Sequence, residues 1–245
     1  MTIFITGGTK GIGLAIAERL ARPDVELVLA YRSDEAAAGA AVEQLKPTKA
    51  KVIIVRTDIG TVDGAVRMIA AGSDNDSAHI IHCAAMIYPT TLLNADLDKF
   101  TTAMQVNGLS LLYLVQAALP RLGRGSSVVL ISSAGARVAR QGYAALGVGK
   151  ATAESLVRYL VPELAPRGVR INAVAPGLVA TTSVAGMVGG EDSAARVFES
   201  MAKAIPAGRM TRDSDYTGVV EFLLSPAAEF VQGQTIHANG GIYVP

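Results

Sequence analysis

The sequence has one cysteine, Cys83, among 245 residues. No disulfide can close within the chain, and the composition suits a reducing compartment. Excess charge is also missing: 22 Lys and Arg stand against 21 Asp and Glu, a formal balance of +1. That balance gives no electrostatic grip on nucleic acid or anionic lipid. No apolar run reaches the ~18 residues a membrane span needs. The chain enters an apolar stretch at Thr2-Ile3-Phe4-Ile5, with no basic segment before a cleavage site, so a soluble, cytoplasmic protein is expected. Histidine is scarce, at three residues. On a strand, His79 and Cys83 would point away from His82, and no carboxylate or second thiol accompanies them. No metal site is expected, and His237 reads as structural.

Apolar residues make up 50% of the sequence and charged residues 18%. This supplies a large core, and the length suits one α/β domain. Apolar strand-like runs alternate with helical periodicities to the end of the chain. Strands are predicted at 3–5, 26–31, 51–56, 79–85, 127–131, 169–174 and 234–238. Helices are predicted at 14–21, 34–45, 62–71, within 92–122, from 151 to 164 and at 215–224. No linker or compositional break interrupts them. The pattern predicts one domain over 1–245, a Rossmann-like doubly wound, mainly parallel sheet with helices on both faces.

The first strand stops at Thr6-Gly7-Gly8-Thr9-Lys10-Gly11-Ile12-Gly13, and a helix follows. Strand, glycine turn and helix together form a phosphate-binding context. Glycines admit the backbone to a pyrophosphate, and a helix start offers free N–H groups and partial positive charge. The second strand ends at Tyr31-Arg32-Ser33, where a free ribose hydroxyl usually meets an acid. Arg32 and Lys10 suit a 2′-phosphate instead, so NADP(H) is expected over NAD(H), although Asp34 is near enough to reach a ribose. Asp58, past the third strand beside Ile59, is placed for an adenine amine or for capping a helix. Asn107, in an otherwise apolar helix, needs a partner for its amide.

Tyr143 and Lys150 lie seven apart, a spacing that puts both on one face of a helix. A phenol titrates near ~10 and is a poor acid at neutral pH. A nearby ammonium lowers that value and makes it a usable donor. Ser132-Ser133 closes the fifth strand and adds hydroxyl donors. The small residues and glycines of 182–208 read as a lid beside a sheet end.

Thr6-Gly7-x3-Gly11-Ile12-Gly13, Asn107, Ser133, Lys150 and Pro176-Gly177, in this order, resemble the short-chain dehydrogenase/reductase family over essentially the whole chain. The resemblance implies a nicotinamide cofactor along Gly7, Thr9, Lys10, Gly11, Ile12 and Gly13, with its adenosine end near Arg32, Ser33, Asp58 and Ile59. Cys83, Ala84 and Ala85 would line it, with Pro176 and Gly177 nearby. It further implies that the Val179 backbone holds the carboxamide beside Thr181, that Lys150 binds the ribose, and that Asn107 anchors a water relay. Self-association is implied too, commonly as a tetramer through 111–122 and 152–164.

Two departures stand out. The family's usual Tyr, four residues before Lys150, is Leu146, and its Asn-Asn-Ala-Gly stretch is His82-Cys83-Ala84-Ala85. The Tyr-x6-Lys spacing resembles the enoyl-acyl-carrier-protein reductase branch, especially its type III members, as do Pro206-Ala207-Gly208-Arg209-Met210 and Gly233-Gln234-Thr235-Ile236. Reduction of an enoyl thioester, carried on an acyl carrier protein or coenzyme A, is the expected activity. Catalysis would rest on Tyr143, Lys150, Ser133 and Asn107. The alternatives are a carbonyl reductase of the same fold and an inactive nucleotide-sensing module.

Overall fold

A computed structural model describes residues 1–73, 78–180, 198–200 and 202–245. Seven parallel strands form one sheet: β1 (Thr2–Thr6), β2 (Glu26–Tyr31), β3 (Lys51–Arg56), β4 (Ala78–His82), β5 (Ser127–Ile131), β6 (Arg170–Pro176) and β7 (Thr235–Ala238). Their order is β3-β2-β1-β4-β5-β6-β7. The order reverses between β1 and β4, and a crevice outside the carboxyl ends of these two strands is where open sheets bind ligands.

The strands are apolar on both faces because helices cover both. The period of two separates their side chains into two cores. Phe4, Val28, Ile80, Val128 and Ile171 pack on one side, with α3 (Val62–Ala70), α5 (Ser110–Ala118) and α6 (Ala144–Leu164). Ile3, Ile5, Leu27, Leu29, Ile81, Val129 and Val174 pack on the other, with α1 (Gly11–Leu20) and α7 (Asp213–Leu224). Further helices are α2 (Glu35–Leu45) and α4 (Leu97–Met104). A π-helical turn at Gln105–Leu109 joins α4 to α5.

Some boundaries differ from the sequence expectation. The first helix starts at Gly11, not residue 14, so the glycine turn runs into the helix itself. The fourth strand ends at His82, leaving Cys83, Ala84 and Ala85 as loop. Tyr143 is not on the helix: it is the residue before α6, with φ −105° and ψ 2°. The picture of two side chains on one helical face is therefore replaced by a donor at the helix entrance and an amine two turns inside. Thr181, and residues 182–197 and 201 of the expected lid, lie outside the described residues.

Candidate active site

The glycine turn is built for close approach. Gly7 has φ +61° and Gly11 φ +53°, both in the left-handed region where a side chain is strained. A Cβ on Gly13 would run into the Gly7 carbonyl, so α1 packs directly on the turn. Lys10 is the N-cap but its side chain does not cap, which leaves the first-turn N–H groups free for an anion. Thr9 is buried beneath the turn. These features fit a dinucleotide pyrophosphate.

At the adenosine end, the Lys10 ammonium pairs with Asp34 at 2.8 Å. Asp34 also caps α2, accepting from the Ala37 N–H at 3.1 Å. The Lys10 hydrogen bond holds the Asp34 carboxyl below its usual range. Lys10 and Asp34 thus neutralise each other. Arg32 instead opens onto a cleft of about 400 Å³ shared with Arg56, Arg67, Asp58, Thr61 and Asp63. Arg56 is paired with Glu35 at 2.5 Å. Asp58 does not cap α3: its carboxylate accepts from the Gly60 N–H at 2.9 Å, and Thr61 is the cap. Ser33 is exposed beside Arg32, and the Ile59 side chain belongs to the core. Arg56 and Arg67 escaped the sequence reading because they lie on separate elements, with only ordinary surface spacing around each.

Across the crevice, Asn107 is fully buried in the π-helical turn. Its amide is satisfied: Oδ1 accepts from the Met86 N–H at 2.7 Å. Its Nδ2 donates to the Met86 carbonyl at 2.9 Å and to the Ala145 carbonyl at 3.3 Å. A Cβ on Gly149 would come within 2.5 Å of the Asn107 Cβ, so glycine there lets α6 close on the turn.

The Tyr143 and Ser133 hydroxyls are 3.2 Å apart. Ser133 Oγ also accepts from the Gly135 N–H at 3.2 Å. The Tyr143 ring lies where a Gly135 side chain would be, and an isolated bridge to Thr90 holds its backbone. Leu146, one turn on, is buried. Beside Ser133, Ser132 donates to Glu154 at 2.6 Å, and Arg137 donates to the other carboxylate oxygen at 3.0 Å. Sequence spacing showed neither contact.

Lys150 is 4% exposed, and its Nζ has no hydrogen-bond partner among the described residues. Desolvation pushes its amine down to about 8, against smaller opposing effects of Cys83 and Glu154. Burial likewise pushes the Cys83 thiol up to about 11. A buried amine without a partner is costly and fits a site completed by a polar ligand such as a ribose diol. Pro176 and Gly177 close β6, and the Gly177 N–H donates to the Ala238 carbonyl at 2.9 Å. Val179 is buried and bridges Thr211.

A family model described as enoyl-(acyl carrier protein) reductase matches residues 7–243. The chain belongs to the short-chain dehydrogenase/reductase family. It is an NAD(P)H-dependent oxidoreductase. An uncharacterized oxidoreductase of Methylorubrum extorquens is 34% identical over 97% of this chain and 96% of its own length. The 3-oxoacyl-[acyl-carrier-protein] reductase FabG of Staphylococcus aureus is 27% identical over 98% and 97%. Among solved structures, a dehydrogenase/reductase of Sinorhizobium meliloti superposes with TM-score 0.85 at 27% identity, covering 99% of this chain and 95% of that one. Among the described residues no helix is long and apolar enough to cross a membrane, and no group of three or more His, Cys, Asp or Glu could hold a metal ion.

Proposed function

We propose that this reductase acts on the carbon–carbon double bond of an α,β-unsaturated thioester, using NADPH. The observation that carries this reading is the donor pair: Leu146 fills the usual tyrosine position, and the Tyr143 hydroxyl meets Ser133 Oγ at 3.2 Å. When bound, the nicotinamide cofactor supplies a hydride to the substrate β-carbon. The double-bond pair would shift to join the α-carbon to the carbonyl carbon, the carbonyl π pair would move onto the thioester oxygen, and the α-carbon would then take a proton from solvent. Tyr143 holds the developing negative charge on that oxygen, with the Ser133 hydroxyl supporting the phenol from behind. With the Gly135 N–H donating to Ser133 and Ser133 to Tyr143, the phenol O–H is left free for the substrate. Among the described residues, the phenol's side-chain hydrogen bond is to Ser133 and Lys150 Nζ makes none. Such a phenol suits stabilising an enolate by hydrogen bonding rather than surrendering its proton to an alkoxide. Lys150, Asn107 and the glycine turn bind and orient.

NADPH is favoured over NADH because Asp34 is occupied by Lys10 while Arg32 faces a cleft with Arg67. An acyl carrier protein or coenzyme A would present the substrate. Exposed Tyr159 on α6 supports self-association as a tetramer through 111–122 and 152–164.

A second reading, reduction of a 3-oxo thioester, is favoured by the same Ser133–Tyr143 contact, since two hydroxyls also suit a ketone oxygen, and by the likeness to FabG. Crotonyl and acetoacetyl thioesters assayed side by side with NADPH separate the two. Turnover of the enoyl thioester supports the proposal; turnover of the ketone alone overturns it.

A further inference from the structure

His82 stands where the family pattern has asparagine, and its ring is fully buried. Its hydrogen bonds fix its own protonation. The Thr6 hydroxyl oxygen accepts from the Cys83 N–H at 3.0 Å and from the Ala84 N–H at 2.9 Å. A hydroxyl has two lone pairs and one proton, so the remaining Thr6 proton points to His82 Nδ1, 2.8 Å away. With Nδ1 accepting, the neutral ring carries its proton on Nε2, which donates to Ser110 Oγ at 2.8 Å. Ser110 in turn donates to the Val106 carbonyl at 2.7 Å. Each hydroxyl and ring proton then has one acceptor, and the wire runs in one direction. Burial, reinforced by the Lys150 charge, keeps the ring neutral.

This wire joins two anchors of one loop. Thr6 holds residues 83 and 84 through their N–H groups, and Asn107 holds Met86 through both its N–H and its carbonyl. Thr6 closes the strand that opens the glycine turn, and Val106 precedes Asn107 in the π-helical turn. We propose that His82 is a positioning residue that ties the cofactor-facing loop 83–86 and the Asn107 turn into one unit, so that binding of the dinucleotide on one side fixes the catalytic turn on the other. The proposal rests on the family's nicotinamide chemistry and is indifferent to whether an enoyl or a 3-oxo thioester is reduced.

Two replacements cut the wire at different ends. In His82→Asn, the amide oxygen lies near the position of Nδ1 and can still accept from Thr6, but nothing reaches Ser110. In His82→Gln, the amide nitrogen lies near the position of Nε2 and can still donate to Ser110, but Thr6 loses its acceptor. Ser110→Ala cuts the Asn107 side without touching the ring. In ligand-free protein of residues 1–245, His82→Asn and Ser110→Ala should raise amide hydrogen exchange about tenfold over 105–110 and leave 83–86 near wild type. Their NADPH dissociation constants should stay within about twofold, while kcat on whichever thioester is turned over falls about tenfold. His82→Gln should do the reverse, with faster exchange at 83–86 and a dissociation constant raised about tenfold. A merely structural histidine would lower the melting temperature of both variants and leave kcat, affinity and the exchange pattern unchanged; that result overturns the proposal. So does Ser110→Ala with wild-type exchange and kcat, a measurement that stands even if the His82 variants do not fold.

Discussion

Lys150→Met should make the cofactor-free protein more stable while destroying its function. The ammonium is buried on α6 without a hydrogen-bond partner among the described residues, and its value drops from 10.5 to about 8. At ~1.4 kcal/mol per pH unit, that displacement costs the charged folded form roughly 3 kcal/mol. Methionine keeps the unbranched stem and removes the charge, as when buried ions give way to apolar groups of similar volume. For a chain of this size, roughly 3 kcal/mol corresponds to a melting temperature about 6–12 °C higher near neutral pH. The pH dependence has a definite sign. Between about 8 and 10.5 the unfolded chain binds the proton that the folded chain has lost, so wild-type stability rises with pH over that window. The advantage of the variant is therefore full below about pH 8 and closes as pH rises toward 10.5. Circular-dichroism melts of both proteins near pH 7 and near pH 10, at one protomer concentration, measure the difference. NADPH at about a hundred times its dissociation constant should stabilise wild type by ~2.7 kcal/mol and the variant by much less. A variant that melts below wild type near neutral pH, or a gap that does not change with pH, would refute the reasoning.

The donor pair makes sharper demands on kinetics than on binding. Tyr143→Phe should lower kcat by ~10²–10³ with NADPH affinity preserved, read by steady-state assay and fluorescence titration; unchanged turnover removes Tyr143 from the mechanism. Gly135→Ala places a methyl group where the Tyr143 ring lies, so kcat should fall while affinity for NADPH holds. Arg32→Ala should raise the dissociation constant for NADPH about tenfold and leave that for NADH little changed; equal losses for both would place the 2′-phosphate elsewhere. Leu146→Tyr restores the hydroxyl that most relatives carry, and the ratio of ketone to enoyl turnover should rise; a fixed ratio would detach Leu146 from reaction choice.

The sheet was legible because burial on both faces writes continuous apolar runs. Strands 26–31, 51–56 and 127–131 fall where the sequence puts them. Ends set by hydrogen bonding were less legible: the fourth strand stops at His82, where Thr6 takes over the next two N–H groups. The residue types at the candidate site were also visible, since glycines after a strand and a Tyr, Lys and Asn in fixed order are local signals. What stayed hidden depends on distances between segments far apart in the chain. Tyr143 and Lys150 have helical spacing, but the helix starts one residue too late to include the phenol. Lys10 and Arg32 read as two equivalent cations, yet Asp34 claims one of them.

The placement of Tyr143 also accounts for a group of otherwise unrelated small residues. A phenol at the usual position, Leu146, would lie one turn inside α6. A phenol at 143 stands at the helix entrance and must fold back to reach Ser133. Its ring then occupies the space beside residue 135, which is glycine, and a Cβ on Gly147 would meet the Gly135 carbonyl at 2.6 Å. Moving the hydroxyl therefore requires Gly135 and Gly147 together with Tyr143 and Leu146, a coupled set rather than one exchange. The loop from Ser133 to Tyr143 is fixed in turn by Glu154, which reaches from α6 to Ser132 and Arg137. Lys150, one helical turn before that carboxylate, keeps its place on the same rigid helix. The phenol stands at the entrance of α6 while the amine keeps its place two turns inside, and the proposed enolate chemistry rests on that placement.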